Sequence, residues 1–98
     1  MEDKLRIKPD TACQLLLVKM ANLERVFGAG LREIRLSKEM SQEALAFEAE
    51  LTRNYISQLE LGEKSPSLRS LFKLCVALNT PPSVLCNKLE AQLARQNK

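Results

Sequence analysis

The stretch Ser41–Glu60, SQEALAFEAELTRNYISQLE, spaces its capping and apolar residues as two short helices crossing through a tight turn require. Ser41 suits a helix start, because its hydroxyl can accept from one of the backbone N–H groups that the first turn leaves unpaired. Leu45, Ala46 and Ala49 then form an inner stripe, and Ala46 is small enough to let a second helix approach at a steep angle. Leu51 is expected to point inward from the turn and Thr52 to cap the second helix. Ile56 and Leu59, three residues apart, give that helix one buried stripe, while Arg53, Asn54, Ser57 and Gln58 lie on another side.

The outer face is polar, rich in hydrogen-bonding groups and free of acid. Such a face suits a DNA major groove, where arginine matches guanine O6 and N7 and asparagine or glutamine matches adenine N6 and N7. Every surface helix turns polar residues outward, so the face alone decides little. The joint spacing of cap, small residue, turn, second cap and buried stripe resembles the helix-turn-helix of the Cro and phage-repressor family, often called XRE-like. The resemblance covers about residues 23–85.

Further features of that family recur on both sides. GAGLREIRLSKEM resembles its first helix, with Leu31, Ile34 and Leu36 as core and Arg35 where the family often keeps a buried arginine. The resemblance makes Glu60 the partner of Arg35 in a structural ion pair. LGEKSPSLRSLFKLCVALN resembles the following loop and fourth helix: Gly62 suits a left-handed helix end, Pro66 a rigid loop and Ser67 a cap. Leu68, Leu71, Phe72, Cys75 and Leu78 repeat at helical spacing and are expected in the core. Two departures stand out, because Glu39 and Glu50 occupy positions where the family commonly has glycine. Glu50 also brings negative charge to the turn, and Leu61 is apolar where relatives often carry a polar or basic residue.

The implied fold class is all-α, a compact five-helix repressor-like DNA-binding domain with an additional N-terminal helix. The implied function is a transcriptional regulator that binds double-stranded DNA as a homodimer, inserting the helix Arg53–Leu61 into successive major grooves of a partly palindromic operator. Arg53, Asn54, Ser57 and Gln58 are the candidates for base edges. Gln42, Thr52, Tyr55, Lys64, Ser65 and Ser67 are those for phosphates. The size resembles both the controller proteins of restriction-modification operons and prophage repressors, which the residues do not separate.

Composition narrows the alternatives. Ninety-eight residues suit one domain, burying roughly 60–65% of the surface its unfolded chain exposes. No histidine is present, no glycine elbow or phosphate-cradling loop surrounds a serine or threonine, and the three cysteines, Cys13, Cys75 and Cys86, are widely spaced beside apolar residues. They read as reduced, mostly buried side chains, so neither catalysis nor a metal or other cofactor is expected. The apolar runs, such as Leu15–Val18, are far too short to span a bilayer, and the acidic start lacks a leader pattern, which points to the cytoplasm and away from membranes. The net charge of +3 is modest for a DNA binder. Residues 26–80 carry seven basic groups and seven acids, a difference of zero, so affinity must come from local placement, helix N-termini and the summed field of a dimer. That neutrality also favours a rival reading, a protein-binding module such as a toxin-neutralising antitoxin or an adaptor, whose partner is another protein.

The flanks complete the organisation. Residues 1–22 read as an arm and an extra helix, residues 23–80 as the DNA-binding core and residues 81–98 as a C-terminal helix. The apolar density between Ala12 and Phe27 suggests the extra helix, with a kink or break near Phe27 because Gly28 and Gly30 weaken a continuous rod. Thr80-Pro81-Pro82-Ser83 ends the fourth helix, and Pro82 suits the first turn of the fifth. Val84, Leu85, Leu89 and Leu93 give that last helix an apolar face, and by the family resemblance they are the dimerisation candidates.

Overall fold

The computed structural model describes residues 22–95. Among them all regular structure is helical: α1 Leu23–Ser37, α2 Gln42–Ala49, α3 Arg53–Glu60, α4 Leu68–Ala77 and α5 Pro82–Arg95. The expected extra helix falls outside the described residues as far as Ala21, and its last part, Leu23–Phe27, belongs to α1. Helix α1 packs on α3 and α5, α2 on α3 and α4, and α4 on α5. The core between them contains Phe27, Leu31, Leu45, Ala46, Ala49, Ile56, Leu59, Leu74, Cys75, Leu78 and Leu85. Each fully buried leucine or isoleucine contributes about 1.5–3 kcal/mol.

Local chemistry sets the helix starts. The side chains of Ser41, Thr52 and Ser67 accept from Ala44, Tyr55 and Ser70 N–H respectively, as their sequence positions require. The helix ends share one device. After α1, α2, α3 and α4 a residue turns left-handed, Glu39 (φ 58°), Glu50 (φ 59°), Gly62 (φ 79°) and Asn79 (φ 53°). The next residue then donates back to a carbonyl inside the helix: Met40 to Arg35, Leu51 to Ala46, Glu63 to Gln58 and Thr80 to Cys75. This is the Schellman closure, which favours glycine. Glutamate at such a position carries strain on the order of 1 kcal/mol. At Glu39 and Glu50 the residue that follows, Met40 or Leu51, packs against the core and holds the turn.

Five expectations change. Helix α1 runs unbroken through Gly28 and Gly30, because Gly28 serves close approach: a Cβ there would lie 2.3 Å from the Leu59 carbonyl oxygen and 2.6 Å from that of Glu60. The backbones of α1 and α3 meet at that point. Leu36 is about half exposed, since the inward direction is taken one residue earlier by Arg35. Leu68 and Phe72 are exposed as well, and Leu74 fills the core instead, because the buried stripe of α4 runs through Leu71, Leu74, Cys75 and Leu78. Cys86 is exposed on α5, whereas Cys75 is buried. Leu85 and Leu93 are buried inside the protomer and Leu89 is half-buried, so of the four residues expected to pair subunits only Val84 stands clear.

Candidate nucleic-acid interface

Helices α2 and α3 cross through the turn Glu50-Leu51-Thr52. Ile56 and Leu59 are fully buried against α1 and α2, which fixes the rotation of α3 about its own axis. That rotation leaves Arg53 and Asn54 exposed and Ser57 and Gln58 half-buried. Arg53 lies at the first position of α3, and its Nε is 3.2 Å from Glu43 Oε2, an ion pair with both side chains largely in water.

The tilt of α3 is set at its other end. Arg35 Nε donates to Glu60 Oε2 at 2.6 Å, Nη2 to Glu60 Oε1 at 3.1 Å, and Nη1 to the Met40 carbonyl at 2.7 Å. The two charged side chains are 8% and 3% exposed. Gln42 Nε2 adds a third donor to Glu60 Oε1 at 3.0 Å. One carboxylate therefore ties α1, the start of α2 and the end of α3 together. A fork-to-fork pair of this kind is directional as well as strong.

The candidates for phosphates divide into free and occupied groups. Lys64 is exposed, and Tyr55 is half-buried against the core. Thr52 caps α3 through its oxygen and keeps its proton for an outside acceptor. Gln42 is held by Glu60. Ser65 donates to Glu24 Oε2 at 2.7 Å, and Ser67 caps Ser70 N–H while donating to the Ser70 hydroxyl at 3.0 Å. The Ser65 hydrogen bond, with the backbone N–H of Glu24 itself, holds the Glu24 carboxyl below its ordinary range. The contact pins the loop after α3 to the start of α1. Burial, and secondarily the nearby Cys86, pushes the Cys75 thiol up, which keeps it protonated and unreactive.

Two partners escaped the sequence reading. Glu43 and Arg53 are ten residues apart across a turn, and only the crossing of α2 and α3 brings them together. Gln42 carried a weak signal, a polar residue just after a cap. Among the described residues no three metal-ligating side chains form a group that could hold a metal ion, and no helix is long and apolar enough to cross a membrane.

Residues 31–85 match the family model described as helix-turn-helix. The chain is 48% identical over 65 residues to the control protein C.BamHI of Bacillus amyloliquefaciens, spanning 65% of this chain and 80% of that one. It is 35% identical over 80 residues to the transcriptional regulator ClgR of Mycobacterium tuberculosis, spanning 81% of this chain and 71% of that one. Among solved structures, the restriction-modification controller protein C.AhdI from Aeromonas hydrophila superposes with a TM-score of 0.63 at 43% identity, covering 66% of this chain and 97% of that one.

Proposed function

Since the chain belongs to the helix-turn-helix family of DNA-binding transcriptional regulators, we propose that it binds a partly palindromic operator as a homodimer and controls a restriction-modification operon. The observation that carries the DNA reading is the orientation of α3: Ile56 and Leu59 are wholly buried, the far end is clamped by Arg35 and Glu60, and Arg53 and Asn54 face outward. Arg53, Asn54, Ser57 and Gln58 then read base edges, and Thr52, Tyr55 and Lys64 contact phosphates. Ser65 and Ser67 reach phosphate only by giving up or sharing their present partners, whereas Gln42 Nε2 has a second N–H beside the one that Glu60 accepts. Residues 23–80 form the DNA-binding core, which α5 braces from behind. The likeness to C.BamHI and C.AhdI supports a controller role.

Two half-sites about one helical turn apart, ~34 Å, suit such a dimer. Selecting bound fragments from random and host genomic DNA tests sequence, symmetry and target together. A two-fold symmetric motif near methyltransferase and endonuclease genes is the expected result. A stoichiometric protein partner with no DNA fragment retained would overturn it in favour of an antitoxin or adaptor. Arg53→Ala is expected to lose ~1–3 kcal/mol against the selected operator and to relax choice at one base pair. Equal weakening on all DNA would make Arg53 a phosphate contact.

For the pairing face we favour α4 over α5, because Leu85 and Leu93 are buried within the protomer. Leu68, Phe72 and Val76, at successive turns of α4, are 72%, 50% and 80% exposed. They border a groove also lined by Glu48, Glu50, Arg69 and Lys73, and Phe72 and Val76 line a second hollow with Pro81 and Pro82. A surface carrying both signs beside one apolar stripe offers the ingredients of a self-complementary patch, which an isologous dimer requires. Phe72→Glu is expected to leave the helical circular-dichroism signal intact and to raise the dimer dissociation constant at least about tenfold, since it buries an unpaired charge. Sedimentation equilibrium decides, and an undisturbed dimer would place the interface elsewhere.

A further inference from the structure

On the reading that Arg53 contacts a base, we propose that Glu43 is a specificity-determining residue: it holds Arg53 by its Nε end, so that the two terminal nitrogens of the guanidinium meet a guanine edge. The geometry has three parts. Glu43 stands in the first turn of α2, whose start is fixed by the Ser41 cap, and Arg53 opens α3, whose start is fixed by the Thr52 cap. The short turn between the caps sets the distance between the two side chains. The carboxylate then sits 3.2 Å from Nε, and neither Nη group makes a hydrogen bond to the protein among the described residues. Guanine offers O6 and N7 side by side, which a guanidinium matches with two parallel donors.

Stability does not explain the pair. Both side chains are more than half exposed, and water screens such contacts until they contribute almost nothing to folding. What the carboxylate does supply is order, because an unrestrained arginine must freeze its long stem when it binds. It also supplies repulsion. An acid in the first turn of α2, next to the base-reading residue, weakens binding to any phosphate backbone, and only a duplex that repays it with paired guanine bonds is held well. The two effects push selectivity in the same direction. They also fit a core of zero net charge, in which weak general affinity is compensated by discrimination.

The test uses the full chain and a duplex selected by it from a random-sequence library, with each single base-pair variant of that duplex. Binding by wild type, Glu43→Ala, Arg53→Ala and the double variant is titrated alongside thermal unfolding. Arg53→Ala is expected to abolish discrimination at one G·C pair in each half-site. Glu43→Ala is expected to reduce discrimination at the same pair about tenfold. It should also tighten binding to unrelated duplex about two- to threefold by removing one negative charge, with an unchanged unfolding midpoint. In the Arg53→Ala background the change at Glu43 should no longer affect base choice. Undiminished discrimination in Glu43→Ala, or a lowered midpoint with base choice intact, would reduce Glu43 to a helix-start acid and overturn the proposal. An effect that persists without Arg53 would make Glu43 itself the base contact and likewise overturn it. If Arg53→Ala weakens every duplex alike, the base-reading role falls first; if Arg53 discriminates and Glu43 does not matter, only the present proposal falls.

Discussion

Replacing Glu60 by alanine is expected to destabilise the fold by about 3–5 kcal/mol, because it strands a buried guanidinium. Arg35 would keep only the Met40 carbonyl of its present partners, and Gln42 would lose its acceptor. The first loss is poorly repaired by water, since the Arg35 side chain is 8% exposed. The informative control is the double variant Arg35→Met with Glu60→Leu. Replacing a buried pair by apolar groups of similar volume is often neutral or even stabilising by about 1–4 kcal/mol, so the double variant should recover most of the stability that Glu60→Ala loses. Urea unfolding measures both. A loss under about 1 kcal/mol for Glu60→Ala would mean that the pair behaves as an exposed one. Operator affinity should fall in the double variant even where stability returns, because apolar contacts do not reproduce the directional hold on the end of α3.

Gly28→Ala is the second large effect, at about 2 kcal/mol or more of destabilisation from overpacking. Two terms compete here. Alanine favours a helix over glycine by about 1 kcal/mol. Against that, the added Cβ would lie 2.3 Å from the Leu59 carbonyl oxygen, more than 1 Å inside the 3.4 Å at which ordinary contact begins. The obstructing atoms are backbone, so no rotamer change relieves them, and the steric term wins. Helix α1 must move away from α3, which loosens the packing of Phe27 and Leu31 and tilts the base-reading helix. Gly30→Ala isolates the propensity term, because its Cβ would meet Leu89 Cδ2 at an ordinary 3.5 Å. That variant should be neutral or up to about 1 kcal/mol more stable. Equal unfolding midpoints for the two variants would remove close approach as the reason for Gly28.

The two glycines show where sequence reading ran short. Helix propensity assigned them a break, and propensity is a local quantity, whereas the need for glycine at residue 28 arises from the distant Leu59 and Glu60 carbonyls. Helix α4 teaches the same lesson in another form. Its apolar residues outnumber what one stripe can bury, so periodicity alone could not say that Leu74 goes inward while Leu68 and Phe72 stay out. In α5 Leu85 and Leu93, expected to meet a partner, are consumed by the protomer's own interior, and a row of three exposed apolar side chains lies on α4.

What the chain determined by itself were the features whose physics is local or strictly periodic. The caps at Ser41, Thr52 and Ser67, the left-handed closure at Gly62, and the inward Ile56 and Leu59 each follow from groups within one helical turn. Family resemblance added the Arg35–Glu60 pair, and the fold bears it out. Only the tertiary structure decided the approach of α1 to α3 at Gly28, the tethering of Gln42, the pairing of Glu43 with Arg53, and which apolar faces remain uncovered. Those outcomes depend on the crossing of helices distant in sequence, where distances of a few ångströms are set by the packing of the whole core and by no single segment within it.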